Sequence, residues 1–214
     1  MAEHPGVLAH QFDDSEQQFE ASSLGMWVFL LTEVMFFGGL FVGYIVYRTA
    51  YPETWALASN TLDVVLGGLN TAVLIGSSLT MVLAVHSAQT GNRKLLVLFL
   101  VLTIVLGGVF LGVKSVEYTH KFEENHVPGP SFHFEGDQSR HAQLFFSFYF
   151  AMTGMHALHM IIGIGILLVL VWKAVQGRFT AEYFNPIEMF GLYWHFVDII
   201  WIFLYPLLYL VGRH

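Results

Sequence analysis

Gly191-Leu-Tyr-Trp-His-Phe-Val-Asp-Ile-Ile-Trp-Ile-Phe-Leu-Tyr-Pro206 decides how the rest of the chain is read. The run is apolar enough to lie in lipid, yet it carries His195 and Asp198 near the middle of a span from about residue 186 to 212. An ionisable side chain at that depth costs about 2.5–3.5 kcal/mol on insertion scales, so as a rule it faces protein and takes a partner. Helix positions three apart share a face, which puts His195 and Asp198 on one side of the span. Trp194 and Trp201 flank them.

Composition agrees with a membrane setting. Of the 214 residues 55% are hydrophobic and 12% charged, about half the charged fraction of a soluble domain. The mean hydropathy is +0.59. There is no cysteine, which excludes disulfides and thiolate metal sites. The net charge is −7 and no Lys/Arg cluster exists, which excludes the basic footprint of a nucleic-acid-binding protein.

Residues 1–22 read as a polar, acidic tail with Glu3, Asp13, Asp14, Glu16 and Glu20 and no Lys or Arg. A secretory leader carries a positively charged segment before its apolar run, so the first apolar span is expected to stay as an anchor. The transmembrane domain, 23–214, holds five apolar spans, at about 23–47, 62–85, 95–116, 142–172 and 186–212. Each is long enough to cross a bilayer as a helix, which takes about 20 residues. Backbone groups in lipid must be satisfied within the segment, so continuous spans of this length are helices and not barrel strands. The expected fold is an all-α integral membrane protein with five transmembrane helices. The longest connection, near 118–141, contains Pro128-Gly129-Pro130 and reads as an extended surface loop.

The positive-inside rule does not orient the chain. Arg93, Lys94, Lys173 and Arg178 fall on one side, and Arg48, Lys114, Lys121, Arg140 and Arg213 on the other. Small residues recur inside the spans, at Gly39 and Gly43, Gly108 and Gly112, and Gly76-Ser77-Ser78. Such positions let helices approach closely, and they are read as internal packing rather than as contacts with another subunit.

Glu33 sits about ten residues into the first span with no basic neighbour in sequence. A charged carboxylate there is expensive, which predicts a mainly protonated side chain at neutral pH. It reads either as a proton-handling or lipid-contacting carboxyl or as a structural one bonded to a neighbouring helix. His156 and His159 share a face of the fourth span. With His195 and Asp198 they read as hydrogen-bonding groups between the fourth and fifth spans, and a metal site is set aside because the spacing alone is a weak motif. Glu188 continues the stripe of the fifth span towards the membrane surface, with a solvated or lipid-headgroup role. Lys114, Glu117 and Tyr118 close the third span; the three-residue spacing allows a Lys114–Glu117 pair, and the preferred reading is an interfacial helix end with snorkelling side chains. Lys173 and Arg178 bracket a short turn and are candidates for phospholipid phosphate contact.

The final segment resembles the last helix of subunit III of haem-copper terminal oxidases, whose signature is a Trp-His-Phe-Val-Asp run followed by Trp. Gly25-Met-Trp-Val-Phe-Leu-Leu-Thr-Glu33 is similar to that family's glutamate-bearing helix, and Leu69-Asn-Thr-Ala-Val-Leu-Ile-Gly-Ser-Ser78 to its Asn-Thr start and Ser pair. His86 through Lys94 resembles its loop, Glu117-Tyr118 its Glu-Tyr pair, and Thr153-Gly-Met-His-Ala-Leu-His-Met-Ile-Ile-Gly163 its two-histidine helix. Many members have seven helices, and this chain resembles the shorter five-helix form. Lys114 stands where a glutamine is common, and the loop from Lys121 to Arg140 is longer than in many relatives.

The resemblance implies a non-catalytic core subunit of an aerobic respiratory oxidase that reduces dioxygen to water and pumps protons. Haem and copper belong to subunits I and II, its partners. Subunit III binds no redox cofactor or metal, holds structural phospholipids, and supports proton uptake and active-site durability beside subunit I. The expected grouping is spans one and two against the other three, with a lipid-filled cleft between. The expected setting is a bacterial plasma membrane with the N-terminus cytoplasmic and with membership of a larger respiratory supercomplex open. Within the family, a quinol oxidase or a nitric oxide reductase accessory chain is the alternative. Two further rivals are a membrane haem or metal protein using His156, His159 and His195, and an independent proton channel or transporter using Glu33 and Asp198. The first lacks dense histidine clusters, and the second lacks inverted repeats and broken helices.

Overall fold

The computed structural model describes residues 11–134 and 139–211. Glu3 and Arg213 lie outside the described residues, as do the first half of the acidic tail and residues 135–138 of the long loop. Six helices follow one another: α1 Ser15–Ala50, α2 Pro52–Asn60, α3 Val64–Gln89, α4 Arg93–Glu123, α5 Ser139–Val175 and α6 Asn185–Tyr209. All except α2 are long and apolar enough to cross a membrane, and they are the five expected spans.

Local chemistry sets the helix starts. Asp14 accepts the Gln17 amide at 2.7 Å while the Gln17 side chain accepts the Asp13 amide at 2.8 Å, a reciprocal cap that begins α1 inside the expected tail. Asp63 accepts from the amides of Val65 and Leu66 to start α3, and Asn92 accepts from Leu95 to start α4. Gly91, at φ 70°, makes the turn between α3 and α4 in a conformation that favours glycine. Proline at the first turn opens α2 and α6, where the missing N–H is not needed. α2 is a short helix in the connection between the first two apolar spans, too short and too polar to stand out as a span. The third span runs on to Glu123, about two turns past its expected end.

α6 is the axis of the bundle. In its most apolar stretch 67% of residues are buried, against 17–28% in the other spans, so it is enclosed by neighbours while the others keep a lipid face. Exposed Val42, Ile161, Leu168 and Trp172 are typical of those outer faces. Towards α3, Trp194 donates to Ser77 at 3.0 Å and Trp201 to Thr71 at 3.0 Å. Towards α1, Phe196 packs on Phe37 and Tyr193 on Phe29. The last carbonyls of α6 are taken by hydroxyls: Tyr44 donates to Leu207 and Ser59 of α2 to Leu208, both at 2.7 Å.

The expected grouping of spans one and two is therefore corrected. α1 packs on α2, α5 and α6, whereas α3 packs on α4 and α6, and the backbones of α1 and α3 nowhere approach each other. α6 separates them, because its aromatic residues point both ways and fill both contacts.

The small residues divide differently from the expectation as well. A Cβ on Gly39, Gly108 or Gly112 would meet nothing within 4 Å, so these glycines face outward and are not internal seams. Gly43 does pack, against Phe148 at 3.1 Å. The tightest approaches are elsewhere. A Cβ on Gly163 would come within 2.8 Å of Trp194, and one on Gly67 within 2.8 Å of Tyr205. Both aromatic rings belong to α6.

Candidate functional site

The polar residues inside the membrane form three separate constellations. The first joins α1 to α5. His159 Nδ1 lies 2.8 Å from the Met155 carbonyl and its Nε2 lies 3.1 Å from Glu33 Oε2. A carbonyl only accepts, so Nδ1 carries a proton. Nε2 and the Glu33 carboxyl then share one further proton, either as a neutral acid donating to imidazole or as an ion pair. The pair is partly exposed on the α1 face of the bundle, with side-chain exposures of 13% for His159 and 19% for Glu33. Tyr193 of α6 donates to the His159 carbonyl at 2.9 Å and fixes that turn of α5.

The second constellation joins α6 to α5 and α3. His156 is fully buried, and its Nε2 donates to the Val197 carbonyl at 3.1 Å. Phe110 and Trp201 enclose the ring, each with centroids 5.3 Å away. His195 Nδ1 meets Ser78 Oγ of α3 at 2.7 Å. Asp198 is 3% exposed and borders Ser78, but among the described residues neither carboxyl oxygen has a partner at hydrogen-bond geometry. Of the four residues expected to tie the fourth and fifth spans together, only His156 does so with its side chain. His159 turns to α1 and His195 to α3, because the shared helix faces lie over different neighbours. Among the described residues no three His, Asp or Glu side chains converge as a metal-binding group.

The third constellation was misjudged from sequence. Lys114 and Glu117 are each 3% exposed, so they are not snorkelling groups at an interface. Lys114 Nζ donates to Glu117 Oε2 at 2.9 Å, to Tyr149 at 3.2 Å and to Tyr209 at 2.8 Å. Glu117 Oε1 accepts from Tyr149 at 2.8 Å and from Tyr209 at 2.5 Å. The rings of Tyr118, Tyr149, Trp201 and Tyr209 surround the ammonium at 5.0–5.6 Å, within cation–π range. All three ammonium hydrogens and both carboxylate oxygens are used, which closes a neutral network across α4, α5 and α6. One more turn along, Lys121 donates to the Thr61 carbonyl at 2.7 Å and to Glu124 at 2.5 Å. The sequence signal for this network was present in the three-residue spacing of Lys114 and Glu117. The two tyrosines that complete it are 32 and 92 positions away from Glu117.

At the opposite end of the bundle, Lys173 and Arg178 bracket the turn at Gly177, and Arg93 lies against that turn. Glu188 occupies the first turn of α6 and is half-buried, where the helix dipole favours a carboxylate. Arg178 donates to Gln176 at 2.9 Å and is otherwise exposed.

The class defined by this fold is an integral membrane helical bundle with buried polar networks on every face of a central helix. The family model for cytochrome c oxidase subunit III matches residues 13–213. The chain is 34% identical to cytochrome c oxidase subunit 3 of Squalus acanthias and 35% identical to that of Gallus gallus, covering in each comparison 88% of this chain and 69% of the relative. It is 31% identical to the protein of the same name in Thermostichus vulcanus, over 94% of this chain and 92% of the relative. The chain belongs to the cytochrome c oxidase subunit III family and is a subunit III of a terminal oxidase. It is thereby part of an oxidoreductase complex and associates with the other oxidase subunits.

Proposed function

We propose that this chain serves the oxidase as a non-redox subunit that holds a titratable pair, Glu33 and His159, beside the proton-uptake side of the catalytic subunit. The single observation that carries this reading is the pair's geometry: one shared proton, bonded across two helices and partly exposed on the α1 face. Such a pair can take up and return a proton without a change in its own framework. Haem and copper reside in subunits I and II, and dioxygen is reduced to water there. The electron donor is a cytochrome c, in keeping with the names of the relatives. Phospholipids line the outer faces, with Lys173, Arg178 and Glu188 at headgroup depth. The membrane is a bacterial plasma membrane, the N-terminus is cytoplasmic, and the complex is able to join a larger respiratory assembly.

The test is the assembled complex carrying Glu33→Gln or His159→Gln. Both variants keep a hydrogen bond across α1 and α5. The expected result is an oxidase that still reduces oxygen with altered proton pumping or a shorter working life. Complete loss of turnover in a fully assembled Glu33→Gln complex would overturn the supporting role. Haem spectra and copper content of the separated subunits test where the redox centres lie.

A further inference from the structure

Asp198 stands thirteen residues beyond Asn185 and eleven before Tyr209, the ends of α6. At 1.5 Å per residue this is about 16–20 Å from either end, close to the middle of a hydrocarbon core about 30 Å thick. It is buried, yet among the described residues neither of its oxygens has a partner at hydrogen-bond geometry. Ser78 borders it, but that hydroxyl has a single proton and already meets His195 Nδ1 at 2.7 Å. A turn of the hydroxyl would satisfy one carboxyl oxygen and leave the other open. The carboxyl lines a groove of about 390 Å³ between α3 and α6, walled by Ile75 and Ser78 on one side and by His195, Ile199 and Ile202 on the other.

Lipid does not complete this site. At mid-membrane depth a phospholipid offers only acyl chain, and its polar groups are about 15 Å away. A transmembrane helix can bring a donating side chain to that depth, and such interhelical bonds are a usual device of membrane assembly. We propose that the α3–α6 groove is the docking site for a transmembrane helix of another subunit, which gives Asp198 a hydrogen bond from a donating side chain near the bilayer centre. The proposal rests on the oxidase reading only for the identity of the partner complex.

The chain has no cysteine, so a single introduced thiol is a unique handle. Ile75→Cys and Ile202→Cys are labelled with a thiol-directed photoreactive probe in native membranes, and the adducts are mapped by peptide mass spectrometry. The expected adduct from both positions is a transmembrane segment of another oxidase subunit that bears a donating side chain. Adducts to lipid alone, or to a second copy of this chain, would overturn the proposal. In parallel, Asp198→Leu is expected to lower retention of the chain in the detergent-purified complex several-fold at unchanged abundance in the membrane, while Asp198→Asn retains it. Equal retention of Asp198→Leu would also overturn it. The haem spectrum and copper content of the complex purified through the unsubstituted chain report separately on the oxidase reading, so the two failures are distinguishable.

Discussion

Lys114–Glu117 and Asp198 are buried to the same degree in the same bundle, and their surroundings are opposite. Around the ion pair every donor and acceptor is used, by two tyrosine hydroxyls and by the partner charge. Around Asp198 both oxygens are open and the neighbouring side chains are mostly aliphatic. A buried charge is tolerable when its pairing is complete, and removing one partner leaves the other stranded. A closed network therefore serves the fold of this chain, and an open one marks a place the chain does not complete by itself.

The largest effect that would test this contrast is loss of one charge from the closed network. Glu117→Leu strands Lys114 and is expected to lower stability by about 3–5 kcal/mol. The double variant Lys114→Met, Glu117→Leu is expected to recover most of that loss, and thermal unfolding of the detergent-solubilised chain measures both. A double variant as unstable as the single one would show that the tyrosine hydroxyls, and not the ion pair, carry the network.

Packing shows the same contrast on a smaller scale. Gly163→Ala drives a methyl against Trp194, and overpacking of this kind costs about 1–3 kcal/mol. Gly112→Ala meets open space and is expected to leave the unfolding midpoint unchanged or slightly raised.

The open site has the reverse sign. Asp198→Leu removes a buried unpartnered carboxyl, so the separated chain is expected to gain about 1 kcal/mol, read in the same unfolding assay. A loss of stability there would mean that Asp198 is satisfied within the chain. Smaller still is Glu33→Gln. It keeps one hydrogen bond to His159, and its effect on unfolding is expected within about 0.6 kcal/mol, the average for an intramembrane hydrogen bond.

The smallest effect lies outside the membrane, in the loop after α4. His126 stacks on Phe146 and its Nδ1 lies 3.0 Å from Glu124. Burial holds the His126 ring below the usual histidine range, and the Lys121 ammonium adds to this. Glu124 is held below the ordinary carboxylate range by Lys121, whose attraction outweighs the opposing effect of partial burial. Both groups bind fewer protons folded than unfolded, so their contribution is present at neutral pH and declines as pH falls below about 6.5. Hydrogen-exchange protection over residues 124–134, taken relative to the intrinsic amide rate at each pH, is expected to fall modestly between pH 7 and pH 5, and a rise in protection at the lower pH would contradict the assignment.

The number and helical nature of the spans were legible in the sequence, because lipid forces every apolar run of that length to satisfy its own backbone. Their ends were not, since capping by Asp14 starts α1 early and α4 runs on to Glu123. Glu33, His156, His159, His195 and Asp198 stand out in the sequence against an apolar background, and the resemblance carried by Trp194-His-Phe-Val-Asp198 led to the family that the comparisons establish. Pairing was not legible. Sequence spacing puts two residues on one face of a helix, but which neighbour that face meets is decided by the order of helices around α6. His159 therefore found Glu33 on α1, His195 found Ser78 on α3, and Lys114 found two tyrosines from α5 and α6. The same limit governed the glycines, since a missing side chain does not say whether a tryptophan or open space stands opposite it. The helix axis is a local property of the chain, and the partner across it is a property only of the assembled bundle.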